Sequence, residues 1–127
     1  PVSKYHIPML IYSPGNVGPG VMSRLMSQID VGPTILGLLN FSYTSKFFGY
    51  DMGNLEPGRE RAFISTYQNL GYLTNQGLIV LSPRAKAESF KLVAGKDPIP
   101  YNNAKQVREA ITWYQSASYS FQHGLLK

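Results

Sequence analysis

The 127-residue sequence contains no cysteine, which excludes disulfide staples, thiolate nucleophiles and cysteine-ligated zinc together. Histidine is nearly as scarce: His6 and His123 stand near opposite ends of the chain and lack metal-ligand spacing. No apolar run approaches the roughly 20 residues that a membrane-spanning helix needs, and no signal peptide opens the chain. Charged residues amount to only 15% against 43% hydrophobic, far from the composition of a disordered chain. Twelve Lys and Arg exceed seven Asp and Glu, giving a net charge of +5. They are scattered, with no basic run and no nucleic-acid motif, so a nucleic-acid partner is not expected. The net charge alone keeps an anion-binding module among the readings.

What is present fits one domain-sized, foldable unit. Nine Tyr and six Phe against one Trp bring large contact area, some of it available to a partner. The chain opens at Pro1 without an initiator Met, which suggests an excised segment. Residues 7–12 (IPMLIY) form a short, nearly continuous apolar run ahead of a Gly- and Pro-rich turn at 13–20. Such a run predicts a buried strand of a sheet covered on both faces. No second strand of that kind follows, so its neighbours are expected outside this chain. Asp30 precedes VGPTILGLL, where a capping acid, an early Pro and apolar Ile35, Leu36, Leu38 and Leu39 predict a short buried helix stopped near Asn40. Residues 41–61 are aromatic and irregular, broken by Gly49, Gly53, Pro57 and Gly58, and read as a loop wrapping a surface.

Short strands are expected at 62–66, 71–74, 78–81 and 87–93, joined as antiparallel hairpins. Gly77 supplies the positive-φ position of a tight loop, so the strands of Tyr72 and Ile79 should pair directly. The last segment predicts a long amphipathic helix capped by Asn103, with Ala104, Val107, Ile111, Tyr114, Ser118, Phe121 and Leu125 on the face that packs across the sheet.

Reactive constellations are missing. His123 reads as a surface residue near a helix C-terminus. His6, at a strand end, is either satisfied by backbone hydrogen bonds or a substrate-side group. Asp30 is explained as a structural helix cap, and Asp51, Glu56 and Glu60 read as solvated loop acids. No serine stands in a nucleophile elbow, and GNVGPG at 15–20 lacks the Lys-led helix of a phosphate cradle. Phe41, Tyr43, Phe47, Phe48 and Tyr50 either pack against a neighbouring domain or line a lipid or glycan pocket.

Three segments, YHIPMLIYSP at 5–14, SQIDVGPTIL at 27–36 and KFFGYD at 46–51, resemble in order and spacing the C-terminal signature of sulfatase-like proteins of the alkaline phosphatase superfamily. The resemblance is to the lipoteichoic-acid-synthase-like phosphoglycerol transferases in particular; it covers residues 5–51 strongly and the later strands and helix more softly. It implies an α/β fold, or α+β taken as an isolated piece. Residues 1–60 would be the C-terminal edge of the main catalytic domain, giving one strand and a short helix to its main sheet. Residues 61–127 would be a small subdomain, an antiparallel sheet of three to four strands packed by a long C-terminal helix.

The resemblance further implies a parent enzyme in which a divalent metal (Mn, Mg, Ca or Zn) and a nucleophile attack a phosphate or sulfate ester of a lipid or glycan. Those groups precede the first motif in the family. No residue here is therefore expected to be catalytic or to bind metal, and His6 is kept only as a substrate-side candidate. The implied partners are the rest of the catalytic domain and the ester substrate, with self-association of the isolated piece. The implied location is an extracytoplasmic domain of a bacterial inner-membrane protein. The reading from a different class is a self-standing, non-catalytic module that binds a protein or glycan.

Overall fold

The computed structural model describes residues 2–126; Pro1 and Lys127, the outer ends of the two expected units, lie outside the described residues. Five strands, β1 (Arg61–Thr66), β2 (Asn69–Thr74), β3 (Gly77–Ser82), β4 (Lys86–Lys91) and β5 (Ile99–Pro100), pair in chain order as an antiparallel meander. The four expected strands are there, and a two-residue fifth extends the sheet. Tyr72 stands opposite Ile79, as the hairpin argument requires. Gly77 has φ +149°, and a Cβ there would run into the Phe90 carbonyl on the neighbouring strand.

Helix α2 (Ala104–Gln122) lies on one face of the sheet. Asn103 caps it, its side chain accepting the Gln106 amide at 3.1 Å. The core is built from Tyr72, Ile79 and Ala110, with Phe63, Leu81, Val107 and Trp113 packed against them. Phe63, Trp113 and Tyr114 meet edge to face, with centroids 5.4 and 5.6 Å from the Phe63 ring, the arrangement ring quadrupoles favour.

The face that α2 buries overlaps the expected one at Val107 and Tyr114 but is shifted around the helix. Gln106 and Ala110 are its fully buried residues, while Phe121, counted on the inner face, is 78% exposed. The reason is a polar anchor. Gln106 donates to Thr74 Oγ1 and to the Gly77 carbonyl, both at 2.9 Å, and accepts from Asn103 Nδ2. A fully bonded amide costs little to bury, and it turns the helix so that small Ala110 sits against the sheet. A hydrophobicity stripe cannot register that.

Tyr114 donates its hydroxyl to the Gly71 carbonyl at 2.7 Å, and burial pushes its pKa from 10.0 up to about 12. In the unfolded chain the phenol ionises near the ordinary value, whereas in the fold it stays neutral. Its contribution to stability is thus complete below about pH 10 and is lost as pH rises toward about 12. Unfolding midpoints measured across that window should fall for the native chain and fall less for Tyr114→Phe; phenolate absorbance of the folded variant should show one late-titrating tyrosine fewer, with Tyr72, also raised by burial, still present.

Toward the N-terminus, α1 (Val31–Leu38) follows a short 3-10 turn at Gln28–Asp30. It stops as expected at Asn40, which adopts φ 55° while the Phe41 amide reaches back to the Leu36 carbonyl at 3.0 Å. Two expectations fail here. Only Pro33 and Thr34 of α1 are buried, so its Ile35, Leu38 and Leu39 side chains stay open to solvent. Residues 7–12 form no strand: they run as unpaired chain, with Leu10 90% and Tyr12 85% exposed. A strand exists only by exchanging backbone hydrogen bonds with a neighbour, and the five-stranded meander does not include this segment.

Candidate functional site

Two of the three signature segments, 27–36 and 46–51, meet the start of β1 in a buried clasp. Asp30 is fully buried and Arg61, the first residue of β1, is 2% exposed. Arg61 Nη1 lies 2.9 Å from both Asp30 oxygens, and Nη2 donates to the Phe48 carbonyl at 2.8 Å. The same carboxylate accepts the amides of Ser27 and Tyr50, each at 2.8 Å. Charge-assisted bonds of this kind are among the strongest a side chain makes. Aromatic rings close the cage: the guanidinium carbon lies 3.9 Å from the Tyr50 centroid, 5.1 Å from Trp113 and 5.3 Å from Phe63.

Asp30 thus occupies the N-cap position of α1 without a capping bond to it. Its carboxylate goes instead to the Ser27 amide and to a strand 31 residues away. The neighbouring motif residues serve the same end. Ser27 Oγ accepts the Phe63 amide at 3.2 Å, and Thr34 Oγ1 accepts the Met52 amide at 3.0 Å while facing the Tyr50 carbonyl. Gly49 lies so close to the Ile29 carbonyl that a Cβ would overlap it. The aromatic group therefore divides: Phe48 and Tyr50 turn inward around Arg61 and Trp113, and Phe41, Tyr43 and Phe47 stay exposed.

A second ion pair corrects the reading of the loop acids. Glu60 is buried, not solvated, and holds Arg24 at 2.8 Å. Arg24 also donates to the Met52 and Leu55 carbonyls at 2.9 Å. Backbone hydrogen bonding, with the Arg24 side chain next, holds the Glu60 carboxyl below its ordinary pKa. Asp51 closes a turn by accepting from the Gly53 amide and Asn54 Nδ2. With these acids committed, the donor set does not fit a divalent cation, and no group of three or more His, Cys, Asp or Glu among the described residues could hold one.

His6 is exposed at the end of a 3-10 turn (Val2–Tyr5), its amide donating to the Ser3 carbonyl. Tyr5, its neighbour, donates to Thr66 Oγ1 at 2.7 Å and ties this segment to the β1–β2 hairpin. His123 stacks on Tyr119 at the end of α2, far from His6 in sequence. Residues 7–12, the uncovered side of α1 and the ring trio Phe41, Tyr43 and Phe47 each leave apolar side chains exposed. Exposed apolar patches mark interfaces. Sequence reasoning missed Arg61 as the partner of Asp30. Strand alternation was the available signal, since it puts Arg61 and Phe63 on one face of β1.

No family model matches the chain. A solved structure, that of a protein in the alkaline phosphatase superfamily from Vibrio parahaemolyticus, is similar at 27% identity over 82% of this chain, with a TM-score of 0.74. The match spans 26% of that protein's length. The five-stranded sheet and its C-terminal helix thus form a C-terminal piece of an alkaline-phosphatase-like fold, and this chain is similar to a member of the alkaline phosphatase superfamily over about a quarter of the latter's length.

Proposed function

We propose that this chain is the C-terminal portion of a metal-dependent phosphoglycerol transferase or sulfatase-like hydrolase acting on phosphate or sulfate esters of lipids or glycans, and that it is inactive by itself. The observation that carries this reading is the apolar run at 7–12, which is unpaired and solvent-exposed although its composition is that of an interior strand. Its natural place is between strands of a larger sheet. The clasp of Asp30, Arg61 and Gly49 then fixes the small sheet to the turn and helix that follow this run in the chain. The parent's remaining residues supply the divalent metal site and the nucleophile, and its membrane anchor places the catalytic domain outside the cytoplasm of a bacterium. Among the described residues no helix is long and apolar enough to cross a membrane.

The test compares the intact gene product with this chain alone. The intact protein should turn over a phosphodiester or a sulfate ester in the presence of manganese. The chain alone should do neither, should give no stoichiometric manganese heat in calorimetric titration, and should associate with itself in light scattering. Ester turnover by the isolated chain, or an intact protein inert toward both ester classes, would overturn the reading.

A further inference from the structure

The β1–β2 hairpin closes through a two-residue loop, Tyr67 and Gln68, between the paired residues Thr66 and Asn69. Both favoured two-residue loops place the first position at positive φ, where glycine, asparagine or aspartate is usual. Tyr67 stands there instead, at φ 48°, with its side chain fully exposed. A left-handed conformation is sterically disfavoured for a residue with a Cβ, and the fully exposed Tyr67 side chain buries nothing against the described residues that would offset this. Backbone strain kept without a folding benefit concentrates at functional positions.

The surroundings supply the rest. Tyr5 bonds Thr66, so the hairpin tip is held against the segment carrying His6. In a meander the β3–β4 tip lies at the same end of the sheet, two strands over or roughly 10 Å away. Exposed Arg84 stands at that tip, again at positive φ (63°). One end of the sheet thus presents an aromatic ring, a histidine and a guanidinium to solvent.

We infer that this end of the sheet forms the substrate-facing rim of the parent's cleft. Tyr67 lies against the hydroxylated part of an anionic ester, a polyol or sugar, and Arg84 attracts its charge. The inference rests on the function proposed above. Aromatic faces combine apolar contact with a hydroxyl handle suited to a polyol, and an exposed cation beside them steers an anion. Tyr67 is a substrate-contact residue here, not a catalytic one.

The test uses the intact protein carrying Tyr67→Gly and, separately, Arg84→Gly, since glycine suits both backbone positions. Paired substrates share the reacting group and differ in the polyol: glycerol p-nitrophenyl phosphate against bis(p-nitrophenyl) phosphate, and glucose 6-sulfate against p-nitrophenyl sulfate. For Tyr67→Gly, KM for the polyol ester should rise about tenfold with kcat nearly unchanged, KM for the aryl ester should stay within about twofold, and the thermal midpoint should be unchanged or higher. Arg84→Gly should lower kcat/KM for the polyol ester and flatten its salt dependence. Equal effects on both members of a pair, or none, in an enzyme that is otherwise active would overturn this inference while leaving the proposed function intact. An intact protein inactive on all four esters would overturn both.

Discussion

Replacing Asp30 with alanine is expected to destabilise the fold by about 3–5 kcal/mol, the usual cost of removing one partner from a buried ion pair. The size follows from what is left behind. The guanidinium of Arg61 would remain 2% exposed with the Phe48 carbonyl as its hydrogen-bond acceptor, and its Nε already lacks a partner. The amides of Ser27 and Tyr50 would lose their acceptor as well, at about 1–3 kcal/mol for each that stays buried and unpaired. Trp113, the single tryptophan, lies 5.1 Å from the Arg61 guanidinium and reports the event directly. Urea titration followed by Trp113 fluorescence should show the midpoint falling sharply for Asp30→Ala. In Asp30→Ala/Arg61→Met the loss should be smaller than the sum of the two single losses, because the stranded charge is gone and only neutral backbone groups, the Ser27 and Tyr50 amides and the Phe48 carbonyl, lose a partner. A single variant within about 1 kcal/mol of the native chain would mean that the clasp opens to water at little cost.

The parts of this architecture that were legible in the sequence are those set by local rules. Four strands followed from short apolar runs between turn residues, the β2–β3 register from Gly77, and the start of α2 from Asn103 three residues before Gln106. What escaped is long-range. Asp30 and Arg61 are 31 residues apart, and no periodicity connects an acid before a helix to a cation opening a strand. The buried face of α2 was legible at Val107 and Tyr114 but not at Gln106, which is polar by composition and apolar in effect once its amide is fully bonded. Residues 7–12 show the reverse case: their composition is that of an interior strand, but a strand cannot be completed by one segment. The placement of His6 was not legible either, since its neighbour Tyr5 is held by Thr66, 61 positions away.

Gly49→Ala should cost about 3 kcal/mol or more, at the upper end of what overpacking a rigid site does. The argument rests on what the new methyl group would meet. The Ile29 carbonyl oxygen would overlap it, the Ile29 carbonyl carbon would stand at 2.6 Å and the Asp30 Cα at 3.1 Å. All three are backbone atoms, so no side chain can swing away. Relief would come only by pushing apart the 46–51 loop and the Gln28–Asp30 turn, which carries the Asp30 carboxylate toward the Tyr50 amide and Arg61. The substitution therefore attacks the clasp from outside, and its cost should overlap with that of Asp30→Ala: the two changes together should lose less than their sum. Two glycines provide the contrast. At Gly18 nothing lies within 4 Å of an added Cβ, so Gly18→Ala should stay within about 0.5 kcal/mol of native. At Gly37 the obstacle is the side chain of Asp51, which can swing aside only by giving up its exposed bonds to the Gly53 amide and Asn54 Nδ2, worth about 0.5–1.5 kcal/mol each, while alanine is preferred to glycine within a helix by roughly 0.5–1 kcal/mol. Gly37→Ala should accordingly cost less than Gly49→Ala, about 2 kcal/mol at most. If urea titration ranks Gly49→Ala beside these two, the loop and turn are not held in van der Waals contact, and the clasp must depend on the ion pair alone.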